Sequence, residues 1–276
     1  MPGGLTNRNY RVRTKLHDVV VRLSPPSTGM LAVDRDCEYR NSCAAAQAGV
    51  GAPVIDYLPG RGVLAVAFIP SETYDEAAVG RNLVKVAAVV RRLHAGPQFV
   101  NRFDMFEVQR RYLKIMQDNG FRMPRGYLGL LPQGQRVEAA LRAHPEPLVP
   151  CHNDLLAANF LDDGHRLWVI DYEYSGNNEP SFELGNIIQE SHLGPDHLAV
   201  LVEGYYGRTD SVTLARAQLW GMAAAYAWTL WGTIQAGVSE IDYDFSGWAM
   251  EKYDRACAAF ADPGFDALLD RAAGTP

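Results

Sequence analysis

The rhythm of apolar and polar residues changes once along this chain. Over the first seventy positions the apolar residues come in short runs: Tyr10 to Arg13, Asp18 to Leu23 with three consecutive valines, and Val63 to Ile69. Such runs predict strands, which pair most simply as an antiparallel sheet. Asp34 to Gly49, with Ala44, Ala45, Ala46 and Gln47 near its end, predicts one helix closed by a glycine. This part therefore reads β, β, α, β. Pro70 and Ser71 end the pattern and divide the chain into residues 1–70 and 71–276. Helical periodicity then predicts segments at Asp75 to His94, Asp104 to Asn119 and Gln133 to Arg142. Val149 to Gly176 reads as a strand-like entry, a polar loop and a hairpin around Asp162, Asp163 and Gly164, whose second strand is Leu167 to Ile170. Four more helices follow, near Phe182 to His192, His197 to Tyr206, Ser211 to Ala236 and Gly247 to Phe260. The expected class is α+β, with a small β-rich N-terminal lobe and a large, mainly helical C-terminal one.

Composition narrows the function classes. With 276 residues, 47% of them hydrophobic, the chain can bury a large core. Its 26 basic and 32 acidic residues give a net charge of -6, which argues against nucleic acid as a partner, since that affinity rests on a basic surface. The longest apolar stretch, Leu219 through Ile234, is interrupted by Gly221, Thr229, Gly232 and Thr233 and reads as a buried helix, so no membrane segment is expected. Cys37, Cys43, Cys151 and Cys257 form no CxxC pair and no zinc spacing, which predicts reduced thiols without a disulfide. The start, MPGGLTNRNYRVRTK, has no apolar signal core, and the expected location is the cytoplasm.

The chemistry concentrates in His152-Asn153-Asp154-Leu155-Leu156-Ala157-Ala158-Asn159, followed twelve residues on by Asp171 at the end of the apolar strand Leu167-Trp168-Val169-Ile170. Phosphoryl transfer from ATP needs a carboxylate to orient and deprotonate an acceptor hydroxyl, and oxygen ligands to hold Mg²⁺ against the phosphates. Asp154, Asn159 and Asp171 supply these parts. Each alone reads equally well as a helix cap, a turn residue or a strand end; the three at this spacing, after an apolar strand, point to a kinase-like site. His152 is expected to orient the loop.

Residues 151–190, CHNDLLAANF through IDYEYSGNNEPSFELGNIIQE, resemble the catalytic core of the choline/ethanolamine kinase family, a branch of the aminoglycoside-phosphotransferase-like kinases. GGLTN at Gly3 to Asn7, VVRL at Val20 to Leu23 and DRDCEYR at Asp34 to Arg40 extend the resemblance through the N-terminal part, in the family's order. It implies a bilobal protein-kinase-like fold with ATP in the cleft, Asp154 as base, Asn159 and Asp171 as magnesium ligands, and Glu173 supporting the metal. It further implies phosphate contacts from Gly3, Gly4, Thr6 and Asn7, an Arg22–Glu38 pair in place of the protein kinases' lysine and helix acid, and adenine held by the backbone near Phe68 and Ile69. The glycine turn begins at Gly3, where family members normally carry a further helix and strand ahead of it.

A quaternary ammonium donates no hydrogen bond, so proteins surround it with aromatic faces. Trp228 and Trp231 lie three apart on one predicted helix and share a face, and Tyr243 and Trp248 follow after a short polar turn. At helical spacing such aromatics can equally fill a core. Their context, WTLWGTIQ then IDYDFSGW, resembles the family's choline-site region, and Glu190 matches an acid near the cationic head group. The expected activity is ATP- and Mg-dependent phosphorylation of choline or ethanolamine. The alternatives are a related kinase for an aminoglycoside, thiamine or another amino alcohol, and a non-catalytic pseudokinase that binds choline.

Overall fold

A computed structural model describes residues 4–24, 30, 31 and 33–274. Near the N-terminus, β1 (Arg8–Arg13), β2 (Asp18–Leu23), β3 (Val54–Leu58) and β4 (Val63–Ala67) form an antiparallel sheet in the order β1-β2-β4-β3. Arg22 sits opposite Leu64, and Val20 opposite Val66. Strand β3 is absent from the periodicity because it carries Asp56, and the register shifts between Val54 and Asp56, which breaks the alternation of period two. Between β2 and β3 runs α1 (Arg35–Gln47), started by Asp34, whose carboxylate accepts the Cys37 N–H.

A second sheet joins β5 (Glu72–Thr73) to the hairpin β7 (Phe160–Asp162) and β8 (Leu167–Val169), and β6 (Val149–Cys151) pairs with β9 (Gly176–Asn178). The segment expected as one helix from Asp75 to His94 is two, α2 (Glu76–Arg81) and α3 (Leu83–His94). They are separated at Asn82, whose side-chain amide donates to the Ala78 carbonyl and competes with the backbone ladder. Then come α4 (Met105–Asn119) and α5 (Leu131–Ala143). After β9 the chain is helical: α6 (Pro180–Glu190), α7 (Pro195–Tyr206), α8 (Ser211–Val238), α9 (Phe245–Phe260) and α10 (Phe265–Ala272). The short α10 was not anticipated, since it offers only two turns of periodicity after Pro263-Gly264.

Helix α8 carries the core. It is apolar around most of its circumference because α4, α6, α9 and α10 pack around it. Helices α6 and α8 cross backbone to backbone at Gly185: a Cβ there would overlap the Ala217 carbonyl oxygen. That contact brings Glu190, at the end of α6, to the aromatic side of α8. No helix among the described residues is long and apolar enough to cross a membrane.

Candidate active site

Two residues of the catalytic segment adopt left-handed backbone, Asn153 (φ 67°) and Asp171 (φ 73°), a conformation costly for any residue with a Cβ unless its surroundings hold it. At Asn153 the hold is visible. Its amide nitrogen reaches the carbonyls of Cys151, Tyr174 and Gly176 at 3.0–3.1 Å, and its Oδ1 accepts from Asn178. Glu183 of α6, fully buried, grips the same loop: its carboxylate accepts the N–H groups of His152 (2.7 Å) and Asn153 (2.8 Å) and also faces His94 Nε2 (3.0 Å). Burial would raise this carboxyl, but the donors hold it below the usual range. His94, Cys151 and Glu183 lie close enough to suggest a metal cluster, yet both Glu183 oxygens are already taken by the loop. His152 donates from Nε2 to the Ile170 carbonyl and accepts the Asp154 N–H, so it ties the loop to the strand before Asp171, as expected of it.

Asp154 projects into a cavity of about 620 Å³. Enclosure pushes its carboxyl well above the ordinary value, and the negative charges of Glu190, Asp171 and Glu173 add to the rise. Asn159 Nδ2 donates to the Asp154 carbonyl (2.8 Å), so its amide oxygen is the atom it offers to a metal. Asp171 Oδ1 accepts from Arg22 Nη1 (2.6 Å), and the same nitrogen donates to Glu38 Oε1 (2.5 Å). The Arg22–Glu38 pair thus reaches the metal-site candidate itself. Glu173 is farther engaged: its Oε2 accepts from Asn7 Nδ2 (2.9 Å) and Arg35 Nη1 (3.1 Å), while burial and then Asp171 push it up to about 7. Asn159, Asp171 and Glu173 all line the cavity and offer oxygen donors, the type a hard cation such as Mg²⁺ takes. Arg35, which bridges Glu38 and Glu173, was not anticipated; its spacing of three from Glu38 on α1 was the available signal.

Gly4 and Thr6 border the cavity, whereas Asn7 is turned into the network with Glu173, Arg35 and Ser24; Gly3 lies outside the described residues. Phe68 and Ile69 border it too, but the Phe68 N–H already donates to the Asp18 carbonyl. Trp228, Trp231, Trp248 and Glu190 line the same cavity. Tyr243 does not join them: it is 44% exposed and packs on Phe245 before α9 begins. Its place is taken by Tyr174, which accepts the Trp231 Nε1–H (2.8 Å) and meets the Trp228 ring edge to face. Lys252, also unanticipated, pairs with Glu190 at 2.6 Å in full burial. Neither residue carried a sequence signal, because each meets its partner only through the fold.

Comparison with known proteins decides the family. A match to the phosphotransferase enzyme family spans residues 1–220. The chain belongs to that family. The enzyme is 27% identical over 273 residues to Protein LicA of Haemophilus influenzae, covering 92% of this chain and 77% of the relative. It is 27% identical over 296 residues to ethanolamine kinase 1 of Homo sapiens, covering 91% of this chain and 65% of that protein. Among solved structures, a choline/ethanolamine kinase family protein from Mesorhizobium loti superposes with a TM-score of 0.86 at 30% identity, over 99% of this chain and 91% of the other. The enzyme is therefore a phosphotransferase, a small-molecule kinase with the protein-kinase-like fold expected of the resemblance.

Proposed function

We propose that the enzyme transfers the γ-phosphoryl group of ATP to the hydroxyl of a small cationic amino alcohol, choline or ethanolamine. The observation that carries this is one continuous cavity that Asp154 lines together with two chemically different sets of residues. One set is the sheet, the glycine turn and Arg22; the other is an aromatic wall and a carboxylate. Residues 1–70 then cover the nucleotide and residues 71–276 supply the base and the acceptor site.

In this reading the acceptor hydroxyl attacks the γ-phosphorus as the bond to the departing ADP breaks, and its proton passes to an Asp154 carboxylate oxygen. A carboxyl held above its usual range is suited to receiving that proton. Asn159 and Asp171 would hold the magnesium ion, which when bound neutralises phosphate charge. Glu173 orders Asn7 and Arg35 around that position. Arg22, already between Asp171 and Glu38, has a planar fork that fits phosphate oxygens. The described cysteines are unpaired, consistent with a cytoplasmic setting.

The test is an ATP- and Mg²⁺-dependent assay on the purified chain with choline, ethanolamine, the methylated ethanolamines, thiamine and kanamycin. Turnover of the amino alcohols above the others is expected. Preference for kanamycin or thiamine, or no transfer by folded protein, sinks the proposal.

A further inference from the structure

A cation already sits against two of the residues that line the cavity, Glu190 and Trp248. Lys252 of α9 has only 2% of its side chain exposed; its Nζ donates to Glu190 Oε2 at 2.6 Å and lies 4.7 Å from the centre of the Trp248 ring. A carboxylate and an aromatic face are what an organic ammonium seeks. The protein's own ammonium occupies one of each. The other aromatic walls are partly engaged with one another, through the Trp231–Tyr174 hydrogen bond and the edge-to-face contact of Tyr174 with Trp228.

Among the buried polar atoms of the lining that lack a partner, Trp228 Nε1, Tyr172 OH and Glu190 Oε1, the last is a carboxylate acceptor. Glu190 borders the cavity, and its Oε1 is buried with no hydrogen-bond partner among the described residues. A buried carboxylate oxygen without a donor is strongly unfavourable, so a ligand N–H is rewarded there. A quaternary head has none to offer. Nor does it gain much from net charge at Glu190, because Lys252 neutralises that residue.

We propose that Lys252 and Glu190 together set the acceptor class, admitting cationic heads that carry at least one N–H, ethanolamine and its mono- and dimethylated forms, in preference to quaternary choline. Lys252 is a positioning residue in this scheme: it fixes one Glu190 oxygen and leaves the other for the ligand. The inference rests on reading the cavity as an amino-alcohol site.

Isothermal titration calorimetry of the full chain with ethanolamine, N-methylethanolamine, N,N-dimethylethanolamine and choline tests it without depending on turnover. The first two methylations should change Kd by no more than about threefold, whereas the last, which removes the final N–H, should weaken binding about tenfold or more. Choline binding as tightly as dimethylethanolamine, or no binding of any of the four, overturns the proposal. Lys252→Met restores the full charge of Glu190 and frees the Trp248 face, so the choline-to-ethanolamine Kd ratio should move toward choline by about tenfold. Lys252→Arg should keep the native ratio. An unchanged ratio in folded Lys252→Met also overturns it, and if that variant does not fold, the methylation series on the native chain still decides. The ordered binding series without phosphorylation of any of the four would support the head-group selection and refute the kinase reading. Phosphorylation with choline favoured would do the reverse.

Discussion

Glu183→Gln separates the grip on the catalytic loop from the chemistry performed there. In the native protein one carboxylate satisfies two buried backbone N–H groups, those of His152 and Asn153, and faces His94. An amide offers one acceptor oxygen. If that oxygen keeps His152 and His94, the amide nitrogen confronts the Asn153 N–H, and one orphaned donor costs about 1–3 kcal/mol. The two bonds that survive lose their charge assistance, roughly 1 kcal/mol each. Removing the charge brings back little desolvation energy, because the native carboxyl titrates below its usual range despite burial and its ionised form is therefore favoured by the fold. The expected loss is about 3–5 kcal/mol, or a melting temperature lower by about 5–9 °C for a chain of this size. Asn153 immediately precedes Asp154, so kcat should also fall, by about a hundredfold for a displacement near 1 Å, with KM for ATP little changed. The pH dependence has a definite sign. The folded-state value lies below the unfolded one, near 4.3, so the contribution is complete above that pH and disappears as pH falls through the folded value. Thermal melts of both proteins from pH 8 to pH 3, with steady-state kinetics at pH 8, make the measurement. A variant that melts within 2 °C of native, by these estimates, and turns over within a factor of about three would refute the account of Glu183.

Other substitutions test other parts of the site. Asp154→Asn should lower turnover by about 10²–10⁴-fold while ATP binding survives. It should also melt higher than native at pH 8, because enclosure and then Glu190, Asp171 and Glu173 raise the native carboxyl, so its ionised form costs stability above the unfolded value; a variant that is active, or less stable at pH 8, contradicts this. Trp228→Ala should raise KM for the amino alcohol by about tenfold and leave KM for ATP alone; equal effects on both would remove Trp228 from the acceptor site. Gly185→Ala should lose about 3 kcal/mol or more in urea denaturation, since its methyl meets the Ala217 carbonyl on α8, where no side chain can turn aside. A loss under about 1 kcal/mol would mean that the two helices separate easily.

The sequence by itself determined what spacing along one segment can determine. Asp154, Asn159 and Asp171 share a loop and the hairpin that follows it, so their separation in number already constrains their separation in space. Likewise Trp228 and Trp231, three apart on α8, had to share a face. Short-range patterning also placed β2 and α1, because apolar runs and a closing glycine act within a few residues. It failed where a side chain overrode the periodicity, at Asn82 between α2 and α3 and at the shifted register of β3. Tertiary structure decided everything that depends on which helix faces meet. Tyr174 reaches Trp231 across 57 residues, and Lys252 reaches Glu190 across 62. The second follows from the packing of α6 and α9 on α8, α6 being brought close at Gly185, whereas Tyr174 reaches Trp231 from the loop between β8 and β9. Tyr243 shows the converse: near in sequence to Trp248, it lies before the first residue of α9, and its ring packs outside on Phe245 while Trp248, inside the helix, is carried to the cavity. A pattern fixes the face on which a side chain stands, but only the crossing of two elements fixes what that face touches.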